Sequence, residues 1–464
     1  MRSVIAFVPA IPLVLFACSS ASDAPSTNTT TTTASITFHE HVESIVQEKC
    51  QSCHHEGGIA PFSLVKYADA KRLAPLLVDR VKARTMPPWG AFETAECKPR
   101  FKWSHDLRLT DAEIETIAKW SEQGAVEGDP SKAPPPKTFG ANGLPTPSDE
   151  LATAKYTVKP STSDELRCFV VDPKLTEDTY IEGTNVIAGD ASVVHHVIVY
   201  ADPKRASLAK AGDTGSYPCF GGPGITPTSM VLAWAPGVPP AEYPNGVALG
   251  LQKDSLLVVQ IHYHPGADPR DDSTKIQLRR AKAKPAWNAT ISLIGNFRAA
   301  PQLLPGPNDP ASGPTFLIPA GVKNHTESME VTIPTSLGGK PLSEMKLASV
   351  GSHMHWLGKD LKVDIERGSE RPGQPKSECL LQTPKYDFNW QRGYAYDTSI
   401  ETLPTVAPGD KLKIKCTYDN STDNPYVVQA LEEKKMSAPV DVTLGEETLD
   451  EMCLGAFVLY SKAP

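Results

Sequence analysis

Two histidines and a methionine in the second half of the chain have the types and spacing of a copper site. His353 and His355 lie two positions apart within Gly-Ser-His-Met-His-Trp-Leu-Gly, residues 351–358. Residues two apart on a strand point to the same face, so a strand here would aim both imidazoles at one ion. Met452 would add a thioether, and this ligand set selects copper and favours its reduced state. The alternative is a pair of ordinary solvated or core histidines.

A second set of histidines comes earlier in the chain. His195 and His196 are adjacent, and His262 follows them at a distance in sequence. Neighbours on a regular strand face opposite ways, so the pair can share an ion only where a bulge or strand end breaks the alternation. Otherwise one ring is buried and the other exposed. We expect His264, which precedes Pro265, to be a neighbouring or surface group, and His325 to lie in a loop.

Four motifs occur in a fixed order, and together they resemble a known family. They are His195-His196, His262-Tyr263, the segment from His353 to Lys359, and Asp450-Glu451-Met452-Cys453. Over roughly residues 160 to 464 the chain resembles the copper type II, ascorbate-dependent monooxygenases, the family of peptidylglycine α-hydroxylating monooxygenase and dopamine β-monooxygenase. The resemblance implies two copper ions. One would be held by His195, His196 and His262, and the other by the catalytic set His353, His355 and Met452.

The resemblance also implies a reaction. The second copper would activate O2 and hydroxylate an activated C–H bond of a small substrate, since three protein ligands leave open positions. The first would store an electron and pass it across a solvent-filled cleft, with ascorbate or a protein electron donor as reductant. Peptide-amidating members carry Arg at the position of Gly351 and Tyr at that of Ala456. We therefore do not expect a peptidyl-glycine substrate.

Residues 50–54 have the C-x-x-C-H spacing of a c-type haem attachment site. Cys50 and Cys53 would form the thioether bonds, and His54 would be the proximal ligand. Met86, in a loop stiffened by the two prolines that follow it, is our candidate for the sixth ligand. It is favoured over three histidines, His39, His41 and His55. A disulfide or half of a zinc site is the alternative, although Cys97 and His105 would complete a zinc site poorly.

Nine cysteines are compatible with an oxidising compartment. The resemblance implies the disulfides Cys168–Cys219, in the first copper domain, and Cys416–Cys453, which would brace the strand end that carries Met452. Cys97 and Cys379 are left either as a bridge between the haem segment and the catalytic half or as free thiols.

The N-terminus is typical of an exported protein. Arg2 precedes an apolar run from Val4 to Ala17 that is too short to span a bilayer. Residues 15–18 resemble a bacterial lipobox, which predicts lipidation of Cys18; an ordinary cleaved signal is the alternative. We expect a protein on the periplasmic side of the cell envelope, at the outer membrane, that contacts the membrane by this lipid anchor only. The net charge of −8 and the lack of a long basic run argue against nucleic acid as a partner.

The elements that must position these residues change character along the chain. After the signal (1–18) and a Ser/Thr-rich tether (19–35), we predict a cytochrome c-like haem domain (36–128) that ends in a helix with Thr110 and Glu113 as its capping box and Gly124 as its stop. A Pro-rich linker (129–160) follows. Short apolar runs separated by Gly and Pro then indicate antiparallel sandwiches. We expect strands at 167–171, 192–200, 255–262, 289–294, 329–333, 345–350, 361–365, 411–418 and 454–460.

The predicted fold is therefore mainly β. The resemblance implies two tandem antiparallel, jelly-roll-like copper domains, N-terminal at 161–310 and C-terminal at 311–464, preceded by the small all-α cytochrome c-like domain. The fused haem suggests that a periplasmic redox donor supplies electrons to the first copper. Two other functions stay open: a non-catalytic haem/copper electron-transfer or copper-handling protein, and a zinc hydrolase. The zinc hydrolase is disfavoured because Met452 is a poor zinc ligand.

Overall fold

The structure, a computed structural model, describes residues 35–137, 143–161, 163–226, 229–296, 303–306, 309–337, 339–445 and 449–463. The predicted export signal, Cys18 and almost all of the tether lie outside these ranges. Within them the chain is mainly β, as the sequence predicts, and its longest helix lies before the first strand. No helix of this described part is long and apolar enough to cross a bilayer.

The segment before the first strand is helical. A π-helical turn, Phe38–Val42, leads into the helices α1 Glu43–Lys49, α2 Tyr67–Arg72, α3 Ala74–Lys82 and α4 Asp111–Glu122. These helices bury a core of their own around Phe38, Ile117 and Trp120. The predicted capping box of α4 is confirmed, since the Thr110 hydroxyl accepts from Glu113 N and the Glu113 carboxylate accepts from Thr110 N. Gly124 follows with a φ of +87°, which confirms the stop.

Short strands, most of them antiparallel, fill the rest of the chain. Those before residue 300 are β1 Asp149–Ala152, β2 Tyr156–Val158, β3 Glu165–Val171, β4 Thr179–Ile187, β5 Val194–Asp202, β6 Ser216–Pro218, β7 Ser229–Trp234, β8 Ala241–Glu242, β9 Val247–Leu251, β10 Leu256–Tyr263, β11 Arg270–Asp272, β12 Lys275–Arg280 and β13 Trp287–Asn296. A helical turn, α5 Leu208–Ala211, follows β5.

The strands after residue 300 are β14 Leu317–Ile318, β15 Lys323–Thr332, β16 Ser336–Leu337, β17 Lys340–Pro341, β18 Met345–His353, β19 Gly358–Glu366, β20 Ser377–Gln382, β21 Gly393–Ala395, β22 Thr405–Val406, β23 Lys411–Asp419, β24 Val442–Thr443 and β25 Cys453–Lys462. The predicted strands all overlap these elements. Helix α6, Pro425–Glu433, was not predicted, although Asn424 caps it and Pro425 begins it.

One large sheet joins the two halves of the β region. Along this sheet β10, β5, β7, β13, β25 and β18 lie side by side in that order. β13 and β25 pair along their full lengths, with Trp287 opposite Lys462 and Asn296 opposite Cys453. A single apolar core also extends over both halves, from Val197 and Ile261 to Val350 and Phe457. The ranges predicted as separate copper domains are therefore joined by main-chain hydrogen bonds as well as by the connecting chain.

The predicted linker, 129–160, is wrong in its second half. β1 pairs with β12, and β2 pairs with β11, with Tyr156 opposite Asp272. Leu144 is buried, and its N–H donates to the Gln277 side chain at 2.7 Å. The prolines mark the connection, but the strands beyond them complete sheet edges that would otherwise be unpaired.

Residues 89–103 attach the helical segment to the second half of the β region. Cys97 and Cys379 form a disulfide, which answers the question that the sequence left open. The N–H of Gly90 donates to the Tyr394 hydroxyl at 3.0 Å. The Trp103 and Tyr396 rings stack with centroids 5.2 Å apart. This junction combines a covalent bond with aromatic packing.

Replacement of both Cys97 and Cys379 by Ser should lower the free energy of unfolding by roughly 2–4 kcal/mol, because the unfolded chain regains the freedom that the bridge removes. Urea denaturation followed by tryptophan fluorescence measures this loss. Cys379→Ser alone should give nearly the same value. If the double variant is as stable as the parent, the bridge does not stabilise this junction.

Candidate metal centres

Three histidine side chains converge between β5 and β10. Potential ligand atoms of His195, His196 and His262 all lie within 4.8 Å of one another. Nδ1 of His196 is 3.2 Å from Nδ1 of His195 and 3.3 Å from Nδ1 of His262. At this spacing two facing ring nitrogens cannot both carry a proton. A metal ion could accept one lone pair from each of the three rings. Neutral imidazoles suit copper and zinc, so the residues fit a metal ion.

A β-bulge brings adjacent histidines to the same side of the sheet. His196 lies opposite His262, but the next pair is Val194 with Tyr263, so His195 is the extra residue. Two adjacent histidines can share an ion only where the alternation of side chains along the strand is broken. This bulge breaks the alternation, which would otherwise turn one ring away from the other.

Asp164 orients the ring of His262. One carboxylate oxygen lies 3.1 Å from Nε2 of His262, and the other lies 2.7 Å from Nδ1 of the half-exposed His264. With Nε2 facing a buried carboxylate, His262 presents Nδ1 to the cluster. His264 is a neighbour of the cluster, as expected. Asp164 was missed because it belongs to no motif and reaches His262 only through the pairing of β3 with β10.

Burial keeps the rings of His195 and His196 uncharged. It lowers the pKa of His195 to about 3 and lowers the pKa of His196 well below its ordinary value. Both rings are therefore neutral near pH 7, which is the form that binds a metal ion.

The second set lies at the end of β18. The strand ends at His353, and His355 follows in the turn, so the prediction that both lie on one strand is wrong. The rings are nevertheless close, with centroids 5.3 Å apart. Nδ1 of His353 lies 2.5 Å from Oε1 of Gln391, and Nδ1 of His355 lies 2.9 Å from the carbonyl oxygen of Asp450. Ligation by these rings would therefore use Nε2.

The buried carboxylate of Glu451 ties Met452 to this turn. It accepts from the main-chain N–H groups of His355 at 2.8 Å, Leu357 at 2.7 Å and Met452 at 3.2 Å. Burial raises the pKa of Glu451 to about 8, although these N–H groups favour the ionised form. The Met452 side chain is buried, and its carbonyl accepts from the Tyr418 hydroxyl at 2.8 Å. The motif around Met452 therefore reaches the His353–His355 turn across the fold.

The two clusters lie against each other. The rings of His196 and His353 have centroids 6.3 Å apart. Phe388 stacks on His195 at 4.6 Å and lies 6.2 Å from His355. The resemblance implies a solvent-filled cleft between the two sets, but these rings lie within packing distance of one another.

The three disulfides of the described residues leave the C-x-x-C pair unbonded. Cys168–Cys219 and Cys416–Cys453 are present, as the resemblance implies, together with Cys97–Cys379. Cys50 and Cys53 are free thiols. Burial raises the pKa of Cys50 to about 12, and His54 turns Nδ1 to the Phe62 carbonyl at 3.2 Å. Both sulfurs and Nε2 of His54 thus fit the covalent and axial bonds of a c-type haem.

Met86 is exposed and lines a slot in the helical segment with Val81, Leu109 and Ile114 and with the arginines Arg84 and Arg108. Ile114 packs against the same core as Cys50. The rival histidines contact other groups: His39 contacts Glu43 at 2.7 Å, His41 the main-chain N–H of Thr37 at 3.1 Å, and His55 the Gln51 carbonyl at 2.8 Å. Met86 therefore stays our candidate for the sixth ligand.

His325 does not lie in a loop. It belongs to β15, is buried, and contacts the Glu327 carboxylate at 2.8 Å. The expectation was wrong because alternate residues of this strand are buried even where they are polar, as His325 and Glu327 are.

Comparisons with known proteins add little. No known protein-family profile matches the chain. Among solved structures it is similar to the major capsid protein P2 from bacteriophage PM2, at 10% identity over 66% of this chain and 97% of that one, with a TM-score of 0.23. It is also similar to a peptide-N(4)-(N-acetyl-β-D-glucosaminyl) asparagine amidase, at 11% identity over 67% and 91%, with a TM-score of 0.21. Similarities this weak carry no argument about function.

Asp164→Asn should weaken metal binding at the first cluster by roughly 10- to 100-fold, the usual effect of losing a group that orients a ligand. Competition with a chelator measures the affinity. His264→Ala is the matched control, because it removes the other partner of Asp164 while the contact with His262 stays. Equal affinities for Asp164→Asn and the parent would show that the carboxylate does not orient the ring.

Glu451→Gln should weaken metal binding at the second set and leave the first set intact, because an amide cannot accept all the N–H bonds that hold the turn to Met452. Metal content and the electron paramagnetic resonance of each copper measure the effect. Glu327→Gln, at another buried glutamate of the same half, controls for general destabilisation. The assignment fails if both variants lose the same fraction of metal.

Proposed function

We propose that the protein is a copper-dependent monooxygenase that uses O2 to hydroxylate an activated C–H bond of a small substrate. The observation that carries the proposal is the three-nitrogen cluster of His195, His196 and His262, packed against the turn that joins His353 and His355 to the Met452 motif. Bound copper would supply one-electron redox chemistry and O2 activation, held at these two sets of three residues. The ordered motifs of the copper type II monooxygenases support the same assignment.

The other side chains of the centre position the ligands and exclude water. Asp164, Gln391 and the carbonyl of Asp450 each fix one ring, so the nitrogens are in place before an ion or substrate arrives. Phe388 fills the space between His195 and His355. A dry, pre-oriented set of ligands of this kind limits side reactions of a reactive oxygen species.

The surroundings of Gly351 support a substrate other than a peptidyl-glycine. Gly351 lies opposite Ala456 in the pairing of β18 with β25. A Cβ atom at Gly351 would lie 3.1 Å from the carbonyl oxygen of Arg392 and 3.4 Å from Cβ of Ala456. The two positions that differ from the peptide-amidating enzymes are therefore adjacent, and strand β21 crowds the one that would need an arginine.

A c-type haem would supply single electrons to this centre. Cys50 and Cys53 would attach it, and His54 and Met86 would bind its iron, in a cytochrome c-like unit that precedes two jelly-roll-like copper units sharing one sheet. The reductant is ascorbate or a periplasmic protein. Disulfides are typical of an oxidising compartment, which agrees with an exported protein that is anchored to the envelope through lipidated Cys18.

A non-catalytic electron-transfer or copper-handling protein is the second candidate. The close packing of His196, His353 and Phe388 favours it, because it leaves little space beside these rings for a substrate. The two candidates differ in oxygen consumption.

The copper-loaded, pre-reduced protein should bind two copper ions per chain and consume oxygen, and His353→Ala should reduce uptake to the background rate because it removes a ligand of the oxygen site. Metal analysis, electron paramagnetic resonance and an oxygen electrode measure these properties. His264→Ala should retain full uptake. Two bound copper ions without oxygen uptake would favour the second candidate, and zinc in place of copper would contradict both.

The haem should be oxidised during this turnover if it supplies the electrons. Stopped-flow absorption of the reduced protein mixed with oxygen follows the change. Haem that stays reduced while ascorbate sustains turnover would contradict the relay.

A further inference from the structure

A partly buried arginine of the β region, Arg392, lies near the C-x-x-C-H motif. The guanidinium carbon of Arg392 is 5.4 Å from the ring centroid of Trp89 and 5.3 Å from that of Trp390. Burial lowers the pKa of Arg392, and the nearby Tyr394 and Cys53 oppose this change. The guanidinium is therefore held between two indoles, within electrostatic range of a cysteine of the motif.

Two hydrogen-bond donors at this place lack acceptors. Nη1 of Arg392 and Nε1 of Trp390 are both buried, and neither has a hydrogen-bond partner within the described ranges. Arg108 lies over the same Trp89 ring at 5.8 Å, but the carboxylate of Asp106 holds its guanidinium. Buried donors are nearly always paired in folded proteins, and a buried cation without a partner is especially costly. The pair therefore indicates a missing anionic acceptor.

The segment that follows the C-x-x-C-H motif packs at the same place. A Cβ atom on Gly237, whose φ is +85°, would lie 2.7 Å from Ile59 and 2.7 Å from the Trp390 ring. Ile59 and Trp390 therefore meet at this glycine. The carboxylate of this loop, Asp387, accepts from the Tyr426 hydroxyl at 2.6 Å and from Asn389 N at 2.9 Å.

We propose that Arg392 and Trp390 bind a propionate carboxylate of the haem attached at Cys50 and Cys53. This inference deepens the proposed function and rests on its haem. A carboxylate can accept from both a guanidinium and an indole N–H, and it neutralises the charge of the guanidinium. The haem carries this group on the edge of its ring, and the second half of the β region supplies the donors.

The propionate site also connects the haem unit to the metal centres. Gln391 lies between the two donors in sequence, and its Oε1 contacts His353 at 2.5 Å. Phe388, in the same loop, stacks on His195. A propionate bound at Arg392 therefore fixes the loop that orients one ring of each cluster.

The test measures the haem reduction potential in the copper-free holoprotein, after a pyridine haemochrome assay has confirmed covalent haem. Arg392→Gln should lower the potential, because a cation near the haem stabilises the reduced form. Trp390→Phe should produce a smaller shift in the same direction, since it removes only the N–H. Arg100→Gln is the matched control and should leave the potential unchanged, because Arg100 lies over Phe101 and pairs with Glu378. If Arg392→Gln does not fold, Trp390→Phe carries the test.

An unchanged potential in Arg392→Gln, or the same shift in Arg100→Gln, would overturn the propionate assignment and leave the copper chemistry untouched. Absence of covalent haem would overturn the haem part of the proposed function as well, so the two failures are distinguishable.

A second measurement separates the haem propionate from a free carboxylate ligand. In the haem-free variant Cys50→Ala/Cys53→Ala, acetate should bind at the two donors and change the tryptophan fluorescence. The holoprotein should not respond, because its propionate occupies the site. An equal response of both proteins to acetate would show that the donors face a free ligand, and the proposal would be wrong.

Discussion

The pairing of β13 with β25 is the constraint on which the two candidate metal centres depend. The ladder runs from Trp287–Lys462 to Asn296–Cys453 and ends where the Met452 motif begins. Gly295 is required there, because its φ is +143° and a Cβ atom would lie 2.1 Å from the Cys453 carbonyl oxygen. The Asn296 side chain accepts from Cys453 N at 2.7 Å. Without this ladder, the histidines of β5 and β10 and the turn after β18 would belong to separate units with no fixed distance between them.

Each ligand candidate is oriented by an element other than its own. Asp164 precedes β3 and contacts a histidine of β10, Gln391 precedes β21 and contacts the last residue of β18, and Glu451 precedes β25 and binds the turn of His355. Such contacts preorganise a site, because no single loop can distort without losing a bond elsewhere. They also give buried polar groups such as the Glu451 carboxylate partners that only the assembled fold supplies.

The helical segment has an apolar core of its own and is also bound to the β region. Its core lies around Phe38 and Trp120. Yet the Cys97–Cys379 disulfide, the Trp103–Tyr396 stack and the two indoles around Arg392 bind it to the β region. A redox group attached to this segment would stay at a fixed distance from the histidine clusters instead of moving on a flexible linker.

The sequence by itself determined the features that depend on residues close together in the chain. Short apolar runs between Gly and Pro predicted the positions of the main strands, and Thr110 and Glu113 predicted the start of the last helix before the first strand. The spacing of Cys50, Cys53 and His54 predicts a haem-attachment motif, which stays a prediction. The adjacent His195 and His196 indicated that a bulge or a strand end is needed if both rings are to share one ion, and the structure has a bulge there. Only the tertiary structure decided that β13 and β25 make one sheet of two halves, that Cys97 pairs with Cys379, and that Asp164, Gln391 and Arg392 reach their places. Local patterns could not reveal these contacts, because each joins residues far apart in the chain whose meeting is set by strand order, which no short segment encodes.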